Sequence, residues 1–168
     1  MSWTDYYRRR DALAAVLEHA RRNPAGDLPY DDVSDVFASP EKLVLALHYK
    51  WLLALTGRVG VAQAEAERDH DIDPVDAVSA AWRSTAAEHP TLRRLLDRHA
   101  DTPALRAAVE GEQRMLALAA GLAEPADTTA QITRVGAAYL TLLRTTPELP
   151  ARRRGPVEQL LRRLVPSA

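Results

Sequence analysis

The stretch from Ser39 to about Asp69 constrains this chain more than any other, because its centre, Leu43 to Leu55, is apolar at every position except His48 and Lys50. A helix apolar on nearly all sides is expected to be buried on nearly all sides, with the remaining elements packed around it. Its start is marked in the sequence. Ser39 offers a capping hydroxyl, Pro40 stands at the first helical position where no N–H is needed, and Glu41 meets the positive end of the helix dipole. No motif in the chain specifies a reaction, a metal or a nucleic-acid site, so the sequence speaks first about architecture.

A chain of 168 residues is the size of one ordinary domain and can bury about two-thirds of the surface its unfolded form exposes. Of its 22 basic residues only Lys42 and Lys50 are lysine, and alanine is abundant. That pattern reads as the coding bias of a GC-rich, high-GC bacterial genome. A net charge of −1 sets up no long-range field toward nucleic acid or an anionic membrane. There is no cysteine, which excludes disulfides, thiolate nucleophiles and sulfur-ligated zinc, and leaves the fold to packing alone. The amino terminus lacks an apolar signal region and the apolar centre is too short to span a bilayer, so a soluble, cytoplasmic protein is expected.

Along the chain the spacing predicts helices throughout. From Tyr6 to Arg22, Leu13, Val16, Leu17 and Ala20 recur at intervals of three and four, giving an amphipathic helix that ends at Asn23-Pro24-Ala25-Gly26. Leu28 to Phe37 is short and acidic, with Asp27, Asp31, Asp32 and Asp35 around Val33, Val36 and Phe37. In the central helix Gly57 and Gly60 cost roughly 1 kcal/mol each relative to alanine and invite a kink. Asp73-Pro74 opens the next helix, whose face is Val75, Val78, Trp82 and Ala86, and His89-Pro90 ends it. Leu92, Leu95, Leu96 and His99 mark a short helix. Thr102-Pro103 opens another, carrying Leu105, Val109, Leu116, Ala119 and Ala120 to a stop at Gly121. Thr128-x-x-Gln131 is a capping-box pattern, and Ile132, Val135, Tyr139, Leu142 and Leu143 continue that helix to about Thr145. After a proline- and arginine-rich linker from Pro147, a last amphipathic helix is expected on Val157, Leu160, Leu161 and Leu164. Alternating β-branched runs and Asn-Gly or Asp-Gly turns are missing. The expected fold is therefore all-α, a single-domain bundle of seven to eight helices: a short helical region to residue 38, a main bundle over 39–146, and the linker with its helix over 147–168.

Within that frame His48 lies on the stripe Val44, His48, Trp51, Leu55. Its ring belongs inside, either lining a ligand pocket or as a core histidine with a hydrogen-bond partner. Pocket candidates are His48, Trp51, Leu55 and Trp82. Asp69-x-Asp71-x-Asp73 resembles the start of a calcium loop but has Pro74 at the sixth position and Ala80 at the twelfth, so helix capping is the reading preferred. The histidines at 19, 48, 70, 89 and 99 include no pair at i and i+4, so no zinc site is expected. Glu88-His89 and Arg98-His99 stand at helix ends, where such side chains satisfy carbonyls. Neither a Gly-rich phosphate loop nor a Gly-x-Ser-x-Gly elbow occurs, and no catalytic residue, cofactor or metal is nominated. Small residues at Gly136, Ala137 and Ala138 would let another helix approach closely, making Val135, Gly136, Tyr139 and Leu143 the candidate dimer face. The basic tail from Arg152 to Arg163 is expected to dock its leucines onto the bundle.

Phe37-Ala38-Ser39-Pro40-Glu41-Lys42-Leu43, with Val44 to Leu47 after it, resembles the junction of TetR-family transcriptional regulators, where a Phe-x-Ser-Lys-Glu-x-Leu pattern opens the helix joining the DNA-reading head to the ligand-binding body. Arg9 to Arg22 is similar to that family's first helix, and Trp82 to Leu105 more weakly to part of its body. The resemblance implies an all-helical, dimeric, ligand-binding body. Between the first helix and Phe37, however, only about 14 residues stand where the family needs two helices to place one in the major groove. The aspartates there have the wrong sign for phosphates. What the resemblance implies is thus the body without a reader: a non-enzymatic, regulatory homodimer binding a small apolar ligand or a protein partner. The alternatives are a structural or adaptor protein working through helix contacts, and a DNA-binding regulator.

Overall fold

Every regular element is helical in a computed structural model of the chain, which describes residues 3–146. Six α-helices occur among the described residues: α1 (Trp3–Arg22), α2 (Pro40–Arg68), α3 (Pro74–Glu88), α4 (Pro90–Arg98), α5 (Arg106–Ala119) and α6 (Thr129–Thr145). The acidic segment forms only a 3-10 turn at Asp31–Val33, and Pro103–Leu105 forms another that runs into α5. The expected count of seven to eight helices is thus not reached here. The expected C-terminal helix and the basic tail lie outside the described residues.

The helix ends follow local chemistry. Ser39 accepts from the Lys42 N–H, Asp73 from the N–H groups of Val75 and Asp76, and the Thr128 hydroxyl from the Gln131 N–H. Gln131 closes the capping box by accepting from the Thr128 N–H, so orphan donors are met at each start. Thr102, despite its proline, makes no side-chain cap. Gly121, at φ +67°, ends α5; Leu122 N–H reaches Ala117 C=O and Gly121 N–H reaches Leu118 C=O. These are the two bonds of a Schellman motif, which needs a left-handed residue there.

α2 is the central helix, touching α1, α3, α4 and α5, and it runs unbroken through Gly57 and Gly60. Leu43, Leu47, Trp51, Leu55 and Val59 share its core face, each such side chain contributing about 1.5–3 kcal/mol on burial. The expectation of burial on nearly all sides needs correction. Tyr49 is 63% exposed, Leu53 58% and Val61 59%, because the other described helices gather on the opposite side of α2. Val16, Ala20, Val33 and Phe37 enter the same core, so residues up to 38 are part of one domain with the main bundle.

α5 and α6 form an antiparallel hairpin, with Arg114 donating to Thr133 Oγ1 and Gly136 set against Gln113. A Cβ on Gly136 would stand 2.0 Å from the Gln113 carbonyl oxygen. The close approach foreseen for these small residues is made inside the chain.

Candidate functional site

The inward stripe that begins at Leu105 in the preceding 3-10 turn and continues in α5 reads Leu105, Val109, Glu112, Leu116, so a carboxylate is carried into an apolar core; Glu112 is 1% exposed. Three groups from two other helices meet it. His48 Nε2 lies 3.0 Å from Oε2, Trp51 Nε1–H donates to Oε1 at 3.0 Å, and Arg93 NH1 stands 3.8 Å from Oε1. Burial pushes the Glu112 carboxyl up, but His48, Arg93 and Trp51 together outweigh it and hold the group below the usual carboxylate value. Glu112 is therefore ionised at neutral pH. An ionised carboxylate only accepts, so the His48 hydrogen is assigned to Nε2.

Charge alternates from this centre outward. The Arg93 guanidinium donates through NH2 to Asp97 Oδ1 at 2.8 Å, and Arg144 Nε of α6 lies 3.4 Å from the same oxygen. Arg93 also stacks over Trp51, 4.8 Å from the ring centroid, while Trp82 meets Trp51 edge-on at 6.0 Å. Cation, indole and second indole thus form one layered wall. Three buried donors in that wall, Arg93 Nε, Arg93 NH1 and Trp82 Nε1, make no hydrogen bond among the described residues. Buried donors without acceptors are costly and few in folded proteins.

Of the sequence candidates, His48 and Trp51 converge on Glu112, Trp82 joins through its ring edge, and Leu55 is buried one turn beyond Trp51 without a polar contact. The α6 candidates do not join this site. Gly136, Tyr139 and Leu143 are buried within the chain's own bundle, and Val135 is half-buried. Tyr139 donates to the Val75 carbonyl at 3.1 Å and is 2.8 Å from Ser79 Oγ. Sequence reasoning missed Glu112 and Arg93. The signal for Glu112 was present, a charged residue at the vacant place in the Leu105, Val109, Leu116 stripe; Arg93 beside Leu92 carried none.

The other constellations serve structure. Asp73 caps α3, and Asp69 Oδ1 accepts from the Asp71 N–H. Glu88 pairs with Arg58 of α2. Arg98 departs from the capping expected of it: its guanidinium donates to Gly26 C=O at 2.7 Å and to Pro24 C=O, tying the turn after α1 to α4. Among the described residues no three histidine, aspartate or glutamate side chains gather where they could hold a metal, and no helix is long and apolar enough to cross a membrane. Comparison with family models, with curated proteins and with solved structures gives no match.

Proposed function

We propose that this chain is a non-enzymatic regulatory protein that binds a small, largely apolar molecule carrying a hydrogen-bond acceptor, in the core beside α2. The observation that carries the reading is the buried polar wall: Arg93 Nε and Trp82 Nε1 make no hydrogen bond among the described residues, Arg93 NH1 has only an ion pair with Glu112 at 3.8 Å, and all three are set against two indole rings. Binding sites for small molecules combine mainly apolar and aromatic walls with a few fixed polar groups, and this layer has that composition. Glu112 holds Arg93 and Trp51 in place. Since Glu112 and Asp97 already neutralise the guanidinium, the wall suits a neutral carbonyl or hydroxyl oxygen better than a full anion. The TetR-like junction at Phe37 to Leu47 supports a ligand-sensing body in the same sense.

Native mass spectrometry of the full chain, purified from its own host, tests this directly. A folded chain carrying a fixed extra mass, lost in Trp82→Phe, is the expected result. A bare chain whose melting temperature no small-molecule carbonyl raises would refute it.

A second reading, an adaptor working through protein contacts, is favoured by the free end of α1. There Trp3, Tyr6 and Tyr7 are exposed and pack on one another, with centroids 5.5–6.5 Å apart, and Arg10 lies over the Tyr7 ring. Aromatic and arginine side chains are enriched at such interfaces. The DNA-binding alternative lacks comparable support. Asn23 to Ser39 hold no helix beyond the turn at Asp31–Val33, and Asp35 engages Arg8 at 2.9 Å.

A further inference from the structure

The outward face of α2 is exposed at Tyr49 and Leu53, while Ala46, packed against the core, and Ala64 are half-buried, and it is ordered by size and charge. Lys42, Ala46, Tyr49, Leu53, Gly57, Gly60 and Ala64 follow one another at intervals of three and four, opposite the face that carries Trp51 and Leu55. Tyr49 and Leu53 are exposed, and a Cβ added to Gly57 or Gly60 would meet nothing within 4 Å. Neither glycine is demanded by a turn, a positive φ or a contact within the chain, although each weakens the helix.

We infer that this face is the surface through which two copies of the chain associate, α2 against α2 in antiparallel fashion about a two-fold axis at Leu53. The sequence of the face is self-complementary in that arrangement. With Leu53 meeting its own copy on the axis, Tyr49 of one copy falls opposite Gly57 of the other and Ala46 opposite Gly60, so the bulky Tyr49 meets a bare backbone. At the ends, Lys42 falls opposite Ala64, one turn from Glu67, and opposite charges meet twice. A parallel pairing would instead stack Tyr49 on Tyr49 and Lys42 on Lys42. The contact is isologous, as a closed dimer requires, and the stripe is about 33 Å long at 1.5 Å per residue. This surface replaces the α6 face, whose glycine is already occupied by Gln113. It is independent of the ligand reading.

The absence of cysteine makes the test clean. The full chain is expected to have twice the single-chain mass of 18.5 kDa in sedimentation equilibrium, and Leu53→Cys to form a disulfide-linked dimer under mild oxidation. Gly60→Cys alone should not link, whereas an equal mixture of Ala46→Cys and Gly60→Cys chains should. Leu53→Glu, at an exposed site, should give a monomer with unchanged helix content. Lys42→Glu and Glu67→Lys should each raise the dissociation constant and the double exchange should restore it. A monomeric chain in which Leu53→Cys stays a free thiol overturns the proposal and leaves the face to residues 147–168 or another protein. Linking by Gly60→Cys alone as readily as by Leu53→Cys also overturns it, in favour of a parallel pair.

Discussion

Two polar centres are buried in this bundle, and they are built on opposite principles. At the first, between α2, α4 and α5, Glu112 brings a full charge into the core and needs His48, Trp51 and Arg93 to hold it. At the second, between α3 and α6, Tyr139 and Ser79 exchange a neutral hydrogen bond and Tyr139 spends its own hydrogen on the Val75 carbonyl. The two hydroxyls of the neutral centre are both satisfied, because the tyrosine donates to Val75 and the serine donates to the tyrosine, while the neighbouring Arg83 Nε makes no hydrogen bond among the described residues. The charged centre is less completely satisfied, since Arg93 Nε makes no hydrogen bond among the described residues and Arg93 NH1 reaches Glu112 only as an ion pair at 3.8 Å. Each centre ties together the helices that meet at it.

The largest break in this comparison is Glu112→Leu. It leaves the Arg93 cation in the core beside Asp97 alone, and removing one partner of a buried ion pair costs about 3–5 kcal/mol. Denaturant unfolding monitored by helix content should show that loss, or a chain that fails to fold. Replacing Glu112 and Arg93 together, as Glu112→Leu with Arg93→Met, should recover much of it, because no charge is then stranded.

Gly136→Ala acts on both centres at once. The Gln113 carbonyl that the new methyl would strike belongs to the residue after Glu112, and α6 carries Tyr139 three positions on. Overpacking of this kind costs about 1–3 kcal/mol. Because the clash is internal, the loss should appear as a lower melting temperature at every protein concentration. An effect confined to subunit association would return Gly136 to a role between chains. Tyr139→Phe should cost less, about 1 kcal/mol, since it removes two neutral hydrogen bonds while keeping the ring.

The same contrast marks what could be read from the sequence. Helix starts were legible because a cap is a local pattern: Ser39-Pro40, Asp73-Pro74 and the Thr128–Gln131 box each act within one turn. The inward turn of His48, Trp51 and Trp82 was legible from helical spacing. Which side of α2 lies open was not, because Tyr49 and Leu53 are as apolar as the residues they oppose, and only the positions of the other helices tell the faces apart. Gly136 advertised a close approach, but nothing local says whether the approaching helix comes from the same chain. Glu112 needed a different inference, that a charge on an inward stripe must find partners elsewhere; those partners, 61 and 64 residues away along the chain, are a property of the fold.

The smallest expected effects are in pH dependence, and they should differ in sign between the centres. Glu112 is held below the usual carboxylate value of 4.5, so its contribution is complete above that pH and is lost as pH falls through the depressed value. Burial raises the Tyr139 phenol above its usual 10.0, against the opposing bond from Ser79. Its contribution is complete below that pH and is lost as pH rises through the raised value. One titrating group changes stability by at most about 1.4 kcal/mol per pH unit, so the test is a difference between variants. Glu112→Gln should flatten the acid limb of the stability profile and leave the alkaline limb alone, while Tyr139→Phe should do the reverse. If Glu112→Gln instead left the acid limb unchanged, the carboxylate would not be the ionised centre of its cluster. The charge alternation through Arg93, Asp97 and Arg144 would then need another anchor.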